Sequence, residues 1–79
     1  MKFDFSNDAM KVIGKLDSNT AGRIFKGVLD LPGKGDIKTL EGKHTGQFRL
    51  RIGDWRVIYT VENGIVLIGF ILPRGDAYK

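Results

Sequence analysis

Two short turn signals constrain this chain more than any other feature. Gly53-Asp54 divides "QFRLRI" from "WRVIYTV", and Asn63-Gly64 divides that segment from "IVLIGFIL". Glycine first in a two-residue loop is the type II′ pattern, and Asn-Gly is the type I′ pattern. Both turns suit the right-handed twist of the strands they join. The C-terminal half therefore reads as an antiparallel meander. Side-chain alternation then assigns the faces. Across the first turn Ile52 opposes Trp55, Arg51 opposes Arg56, Leu50 opposes Val57, Arg49 opposes Ile58, and Phe48 opposes Tyr59. Phe48, Leu50, Ile52, Trp55, Val57 and Tyr59 make a buried face. Arg49, Arg51, Arg56, Ile58 and Thr60 make the other.

A two-residue loop at Asn63-Gly64 extends this register. It sets Ile58 against Gly69 and Arg56 against Ile71, and it sends Val66, Ile68, Phe70 and Leu72 into the core. The unbroken apolar run predicts a central strand covered on both faces. Pro73 ends it.

The N-terminal half changes period. "KFDF" alternates and predicts a first strand. Ser6 is a helix cap, with Asp8 in the first turn where it complements the dipole. Met10, Ile13 and Leu16 keep one helical face, which Gly14 weakens. "DSN" restarts the pattern. Ala21, Ile24, Phe25, Val28 and Leu29 then follow a helical stripe that stops at "LPGKG". The segment "KGDIKTLEGKHTG" reads as a loop, anchored by Ile37 and Leu40. The order is β-α-α-β-β-β: one α+β domain over residues 1–79, with two N-terminal helices packed on a small, mainly antiparallel sheet.

The composition narrows the chemistry. There is no cysteine, hence no disulfide framework, which fits a cytoplasmic protein. No apolar run approaches the roughly 20 residues that span a membrane, and "MKFDFSNDAMK" has no leader-like core. The acids are scattered and there is a single histidine, so neither a zinc set nor another cofactor site is read here. The formal net charge is +4, and four of the five arginines (Arg49, Arg51, Arg56, Arg74) lie in the C-terminal half. Arginine is the planar, forked donor that matches phosphate. Opposing Arg51 to Arg56 destabilises the ribbon by a few tenths to about 1 kcal/mol. Folding gives no reason for that pair; a bound polyanion does.

"FRLRIGDWRVIY", followed by a hairpin, an apolar strand and "PRGDAYK", resembles the RelE/ParE toxin superfamily of toxin–antitoxin modules. "FDFSNDAMKVIGKLD" and "GDIKTLEG" fit it as well, so the resemblance covers nearly the whole chain. It implies a toxin that cleaves messenger RNA in the ribosomal A site and inhibits translation, without metal or cofactor. The RNA's own 2′-hydroxyl attacks the adjacent phosphate. By this resemblance Arg56 and Arg74 clamp the scissile phosphate, with Arg51 beside them, and Tyr78 stacks on a base or helps move a proton. Arg49, Arg51, Lys38 and His44 are the candidate substrate-binding residues.

The chain departs from the family pattern in three places. Arginines stand at 49 and 51 where relatives carry lysines. Pro73 stands where some relatives carry a histidine. Lys38 lies near the place where another branch has a glutamate base. Arginine is a poor general base, so the base is unassigned. Two alternatives stay open: a ParE-like poison of DNA gyrase, and a non-catalytic module that binds RNA or an antitoxin. All three readings imply a cognate antitoxin that folds as it wraps the toxin, and contact with operator DNA through that complex.

Overall fold

Two side chains set the helical half. Ser6 ends β1 (Lys2–Phe5) and caps α1 (Asn7–Lys15), its hydroxyl accepting the Ala9 N–H at 3.0 Å. Asp17 caps α2 (Ser18–Leu29), accepting the Thr20 N–H at 3.1 Å and the Thr20 hydroxyl at 2.6 Å. The structure, a computed structural model, describes residues 2–31, 36–39 and 46–73.

The helices show the core a narrower stripe than the sequence suggests. Ile24, Val28 and Leu31, spaced i, i+4, i+7, are buried from α2 onward, and Ala9 is buried on α1 with Val12, Ile13 and Leu16 packed around it. Met10, Phe25 and Leu29, expected in the stripe, are exposed. Each sits one position past a buried residue, about 100° around the helix. Phe25 still touches the layer below, edge-on to Phe5 with ring centroids 5.6 Å apart.

The sheet has five strands in the order β1-β5-β4-β3-β2, where β2 is Asp36–Thr39, β3 Phe48–Ile52, β4 Trp55–Glu62 and β5 Ile65–Pro73. β1 runs parallel to β5, and the other pairs are antiparallel. The architecture is α+β as expected, with one strand more. β2 lies within the segment read as loop; its four residues are too few for alternation to show. Ile37 does anchor it, opposite Leu50. Leu40 lies outside the described residues.

The β3–β4 register matches the turn-based reading at all five pairs, from Ile52↔Trp55 to Phe48↔Tyr59. Gly53 has φ +57°, as a leading glycine in a type II′ turn requires. At the second turn Asn63 and Gly64 have φ +51° and +77°, the type I′ pattern.

The β4–β5 register starts as expected and then shifts. Val61↔Val66 and Tyr59↔Ile68 follow the turn, but Ile58 pairs with Phe70 and Arg56 with Leu72. Gly69 is the extra residue of a β-bulge. Beyond it every side chain changes face, the consequence of a one-residue slip against a period of two. Ile71 is buried, whereas Phe70 and Leu72 leave the core. β5 is an inner strand, and among the described residues α1 is the helix that packs on it, on one face.

Candidate functional site

The face of the sheet opposite the helices carries four of the predicted site residues, Lys38, Arg49, Arg51 and Arg56, and strand pairing arranges the face in three rows. The first row runs Arg51 (β3), Arg56 (β4), Leu72 (β5), with Asp36 of β2 at the register position beside Arg51. The second runs Lys38, Arg49, Ile58, Phe70. The third runs Thr60, Leu67, Asp4. The face is therefore basic on β2, β3 and the end of β4, apolar in its middle, and acidic at β1.

The arginines are not equivalent. Arg51 is exposed. Arg56 is half-buried, and its Nη1 is buried without a hydrogen-bond partner among the described residues. A buried donor left unpaired costs on the order of 1–3 kcal/mol. Arg56 is the register partner of a second arginine, Arg51. Arg49, expected to face solvent, is only 8% exposed. Its strand is flanked on both sides, by β2 and β4, and its neighbours in the row, Lys38 and Ile58, have long or bulky side chains. Lys38 shares the face and is exposed. Arg74, Tyr78 and His44 lie outside the described residues.

The turn-based register puts Gly69 on this face and leaves a dip beside Ile58; Phe70 takes that place instead, and a hollow still forms there by another route. A cavity of about 310 Å³ opens beside the arginine rows, lined among others by Asp4, Gln47, Ile58, Thr60, Leu67 and Phe70. The bulge makes it. Had Gly69 been paired with Ile58, Phe70 would lie in the core. A glycine inside an apolar strand is itself a bulge signal, and it stands in the sequence at position 69.

Chemically, the face can bind an anion with forked donors and hold a flat apolar group next to it. Among the described residues no group of three or more His, Cys, Asp or Glu side chains stands close enough to hold a metal ion, and no helix is long and apolar enough to cross a membrane.

Comparisons with known proteins agree with this architecture. A family model described as "ParE toxin of type II toxin-antitoxin system, parDE" matches residues 3–78. The archaeal RelE of a RelE–RelB complex from Pyrococcus horikoshii is 30% identical, with a TM-score of 0.75 over 96% of this chain and 97% of that one. The toxin–antitoxin complex RelBE2 from Mycobacterium tuberculosis gives 22% identity and a TM-score of 0.78, over 95% and 92% of the two chains. A YoeB/ParE toxin from Agrobacterium tumefaciens gives 16% identity and 0.80, over 94% and 99%. The last two show the fold alone. No curated protein sequence matches significantly.

Proposed function

Because this chain belongs to the family of ParE toxins of type II toxin–antitoxin systems, we propose that it acts as a RelE-type endoribonuclease, cleaving messenger RNA on the ribosome. The observation that carries this reading is the opposed pair Arg51–Arg56, with the Arg56 Nη1 buried and without a hydrogen-bond partner among the described residues. A scissile phosphate between the two guanidinium groups would satisfy that donor and turn a repulsive pair into a clamp.

The chemistry follows from the donors. The 2′-hydroxyl oxygen of one nucleotide attacks the adjacent phosphorus, the bond from phosphorus to the 5′-oxygen breaks, and a 2′,3′-cyclic phosphate is left. Negative charge builds on the non-bridging oxygens of the crowded intermediate. Fixed cations aimed at that charge are the largest contribution a protein makes to such a step. Arg51 and Arg56 supply them, the exposed Lys38 holds the flanking backbone, and the buried Arg49 adds positive charge beneath it. Arg74, the residue after Pro73, joins the clamp in this reading, with Tyr78 beside the base and His44 at the substrate's edge. Arginine stays protonated, so the proton of the 2′-hydroxyl goes to another group, and the departing 5′-oxygen takes a proton from water to leave as a hydroxyl. The partner is an antitoxin, as in the relatives solved as RelE–RelB complexes.

A second reading keeps the same fold and family. The matching family model is that of ParE toxins, and by the resemblance described above such members poison DNA gyrase without cutting RNA. Expression in cells separates the two. The nuclease reading expects new 5′ ends at codon positions in translated messages, and loss of growth arrest in Arg56→Ala. Intact messages with accumulated gyrase–DNA cleavage would overturn it in favour of the second.

A further inference from the structure

We propose that the cavity at the Asp4 end of the open face is a nucleobase site, which receives the base of a nucleotide whose phosphate lies on Arg51 and Arg56. The proposal rests on the anion-binding reading of the arginines and goes beyond it, because it assigns residues no arginine argument reaches.

Phe70 is 46% exposed although it belongs to an inner strand. Burying a phenylalanine stabilises a fold, and the bulge at Gly69 gives that up by turning the ring outward. Ile58, which lies between Arg49 and Phe70 in the second row, is 4% exposed and closes the cavity beside the ring. Leu67 completes the apolar part. Asp4, Gln47 and Thr60 put polar groups around it. A flat ring with polar edges fits such a lining.

Charge sets the orientation. Asp4 repels phosphate and accepts hydrogen bonds, so the acidic end suits a base that carries an amino group. Arg56 and Ile58 are two residues apart on β4, about 7 Å along the strand, a span that one ribose bridges. An apolar side chain from a protein partner would fill the space as well. It would also cover Asp4, Gln47 and Thr60 without offering them a partner, which is costly. A nucleobase satisfies both halves of the lining.

The test is amide NMR of the full chain titrated with adenosine 5′-monophosphate, cytidine 5′-monophosphate, uridine 5′-monophosphate and ribose 5-phosphate. The nucleotides should shift Thr60, Leu67 and Phe70 together with Arg51 and Arg56. Ribose 5-phosphate should shift only the arginines. Phe70→Ala should weaken adenosine 5′-monophosphate by roughly tenfold to a hundredfold, as loss of stacking does, and leave ribose 5-phosphate unchanged. Phe70→Leu, which keeps apolar bulk, should lose nearly as much. The uridine nucleotide should bind several-fold more weakly than the other two, and Asp4→Ala should erase that gap. Equal affinity for nucleotide and ribose 5-phosphate, unmoved by Phe70→Ala, would overturn the base site and leave the arginine platform standing. Shifts at Phe70 with Arg51 and Arg56 silent would sink the platform and spare the base site. Silence at both ends would overturn both.

Discussion

The Ser6 hydroxyl donates to the carbonyl of Gly69, a residue 63 positions away, while the same oxygen accepts the Ala9 N–H at 3.0 Å. The Ser6 N–H also donates to the Ile68 carbonyl at 2.9 Å. One residue thus caps α1 and holds the bulge in β5. The bulge decides which side of the sheet Phe70 occupies, so the shape of the candidate site depends on a helix cap, Ser6, that itself lines the cavity.

Removing that link should cost stability and shift the bulge. Ser6→Ala loses a cap, worth about 0.5–2 kcal/mol, and leaves the Gly69 carbonyl without its donor. Urea unfolding should show a lower midpoint with an unchanged slope, and the amides of Ile68 to Phe70 should exchange faster. Ser6→Thr keeps both functions and should stay near wild type. Ser6→Asp can still cap but, when ionised, cannot donate, so it should lose protection at Gly69 while α1 holds.

Helix α2 approaches the sheet through Gly27. A Cβ there would stand 2.6 Å from Ile52 Cδ1 and 3.2 Å from its Cγ1. Gly14 on α1 has open space around it. The two glycines should therefore answer alanine with opposite signs. Gly14→Ala should raise stability by up to about 1 kcal/mol through helix propensity. Gly27→Ala gains the same propensity but overpacks, which typically costs about 1–3 kcal/mol. A double-mutant cycle with Ile52→Val, which removes the clashing methyl, should recover most of the loss. If Gly27→Ala alone proved more stable than wild type, the Ile52 side chain would have turned aside at little cost, and the overpacking prediction would be wrong.

The contrast between the two hairpins shows what a sequence can convey. At Gly53-Asp54 the turn chemistry and the period of two agree over the whole ribbon, so Arg51 could be set against Arg56 from residue types alone. At Asn63-Gly64 the turn was equally legible, and the register held as far as Tyr59 and Ile68. It then failed because an all-apolar strand has no alternation to reveal a slip, and the tertiary tie from Ser6 leaves no local pattern. β2 was missed for a related reason: four residues pair with β3 through their backbone and carry one core side chain, Ile37. The arginine face was legible because like charges at adjacent positions need explaining. A dip beside Ile58 was legible too, but the cavity lined by Phe70 was not, since it exists only after that ring changes sides.

Two titrations should bound the pH range of stability. Burial of Tyr59, stacked on Phe48 with ring centroids 5.3 Å apart, pushes its phenol above the ordinary 10.0. The unfolded chain then loses this proton first, so stability is complete below about 10 and falls as pH rises further. Tyr59→Phe should flatten that limb. The side-chain and backbone hydrogen bonds from Thr20 hold Asp17 below its ordinary 3.8. Its contribution is present above that value and is lost as pH falls beneath it. Asp17→Asn should keep the cap and remove that dependence. Chemical denaturation at a series of pH values measures both slopes.

Arg56 should reveal the tension between folding and binding. Arg56 is register partner to Arg51 and buries an Nη1 that has no hydrogen-bond partner among the described residues, so no described contact in the isolated chain rewards its charge. Arg56→Met keeps the apolar stem and removes both penalties. The variant should be at least as stable as wild type, by up to about 1 kcal/mol from the relieved like-charge pair, and should fail to arrest growth. Binding to single-stranded RNA should lose part of its salt dependence at the same time. Each phosphate contact contributes about 0.7 to the slope of log affinity against log salt, so the variant's slope should be shallower by about that amount. A variant that was clearly destabilised, or that kept the wild-type slope, would show that Arg56 serves the fold rather than an anionic ligand.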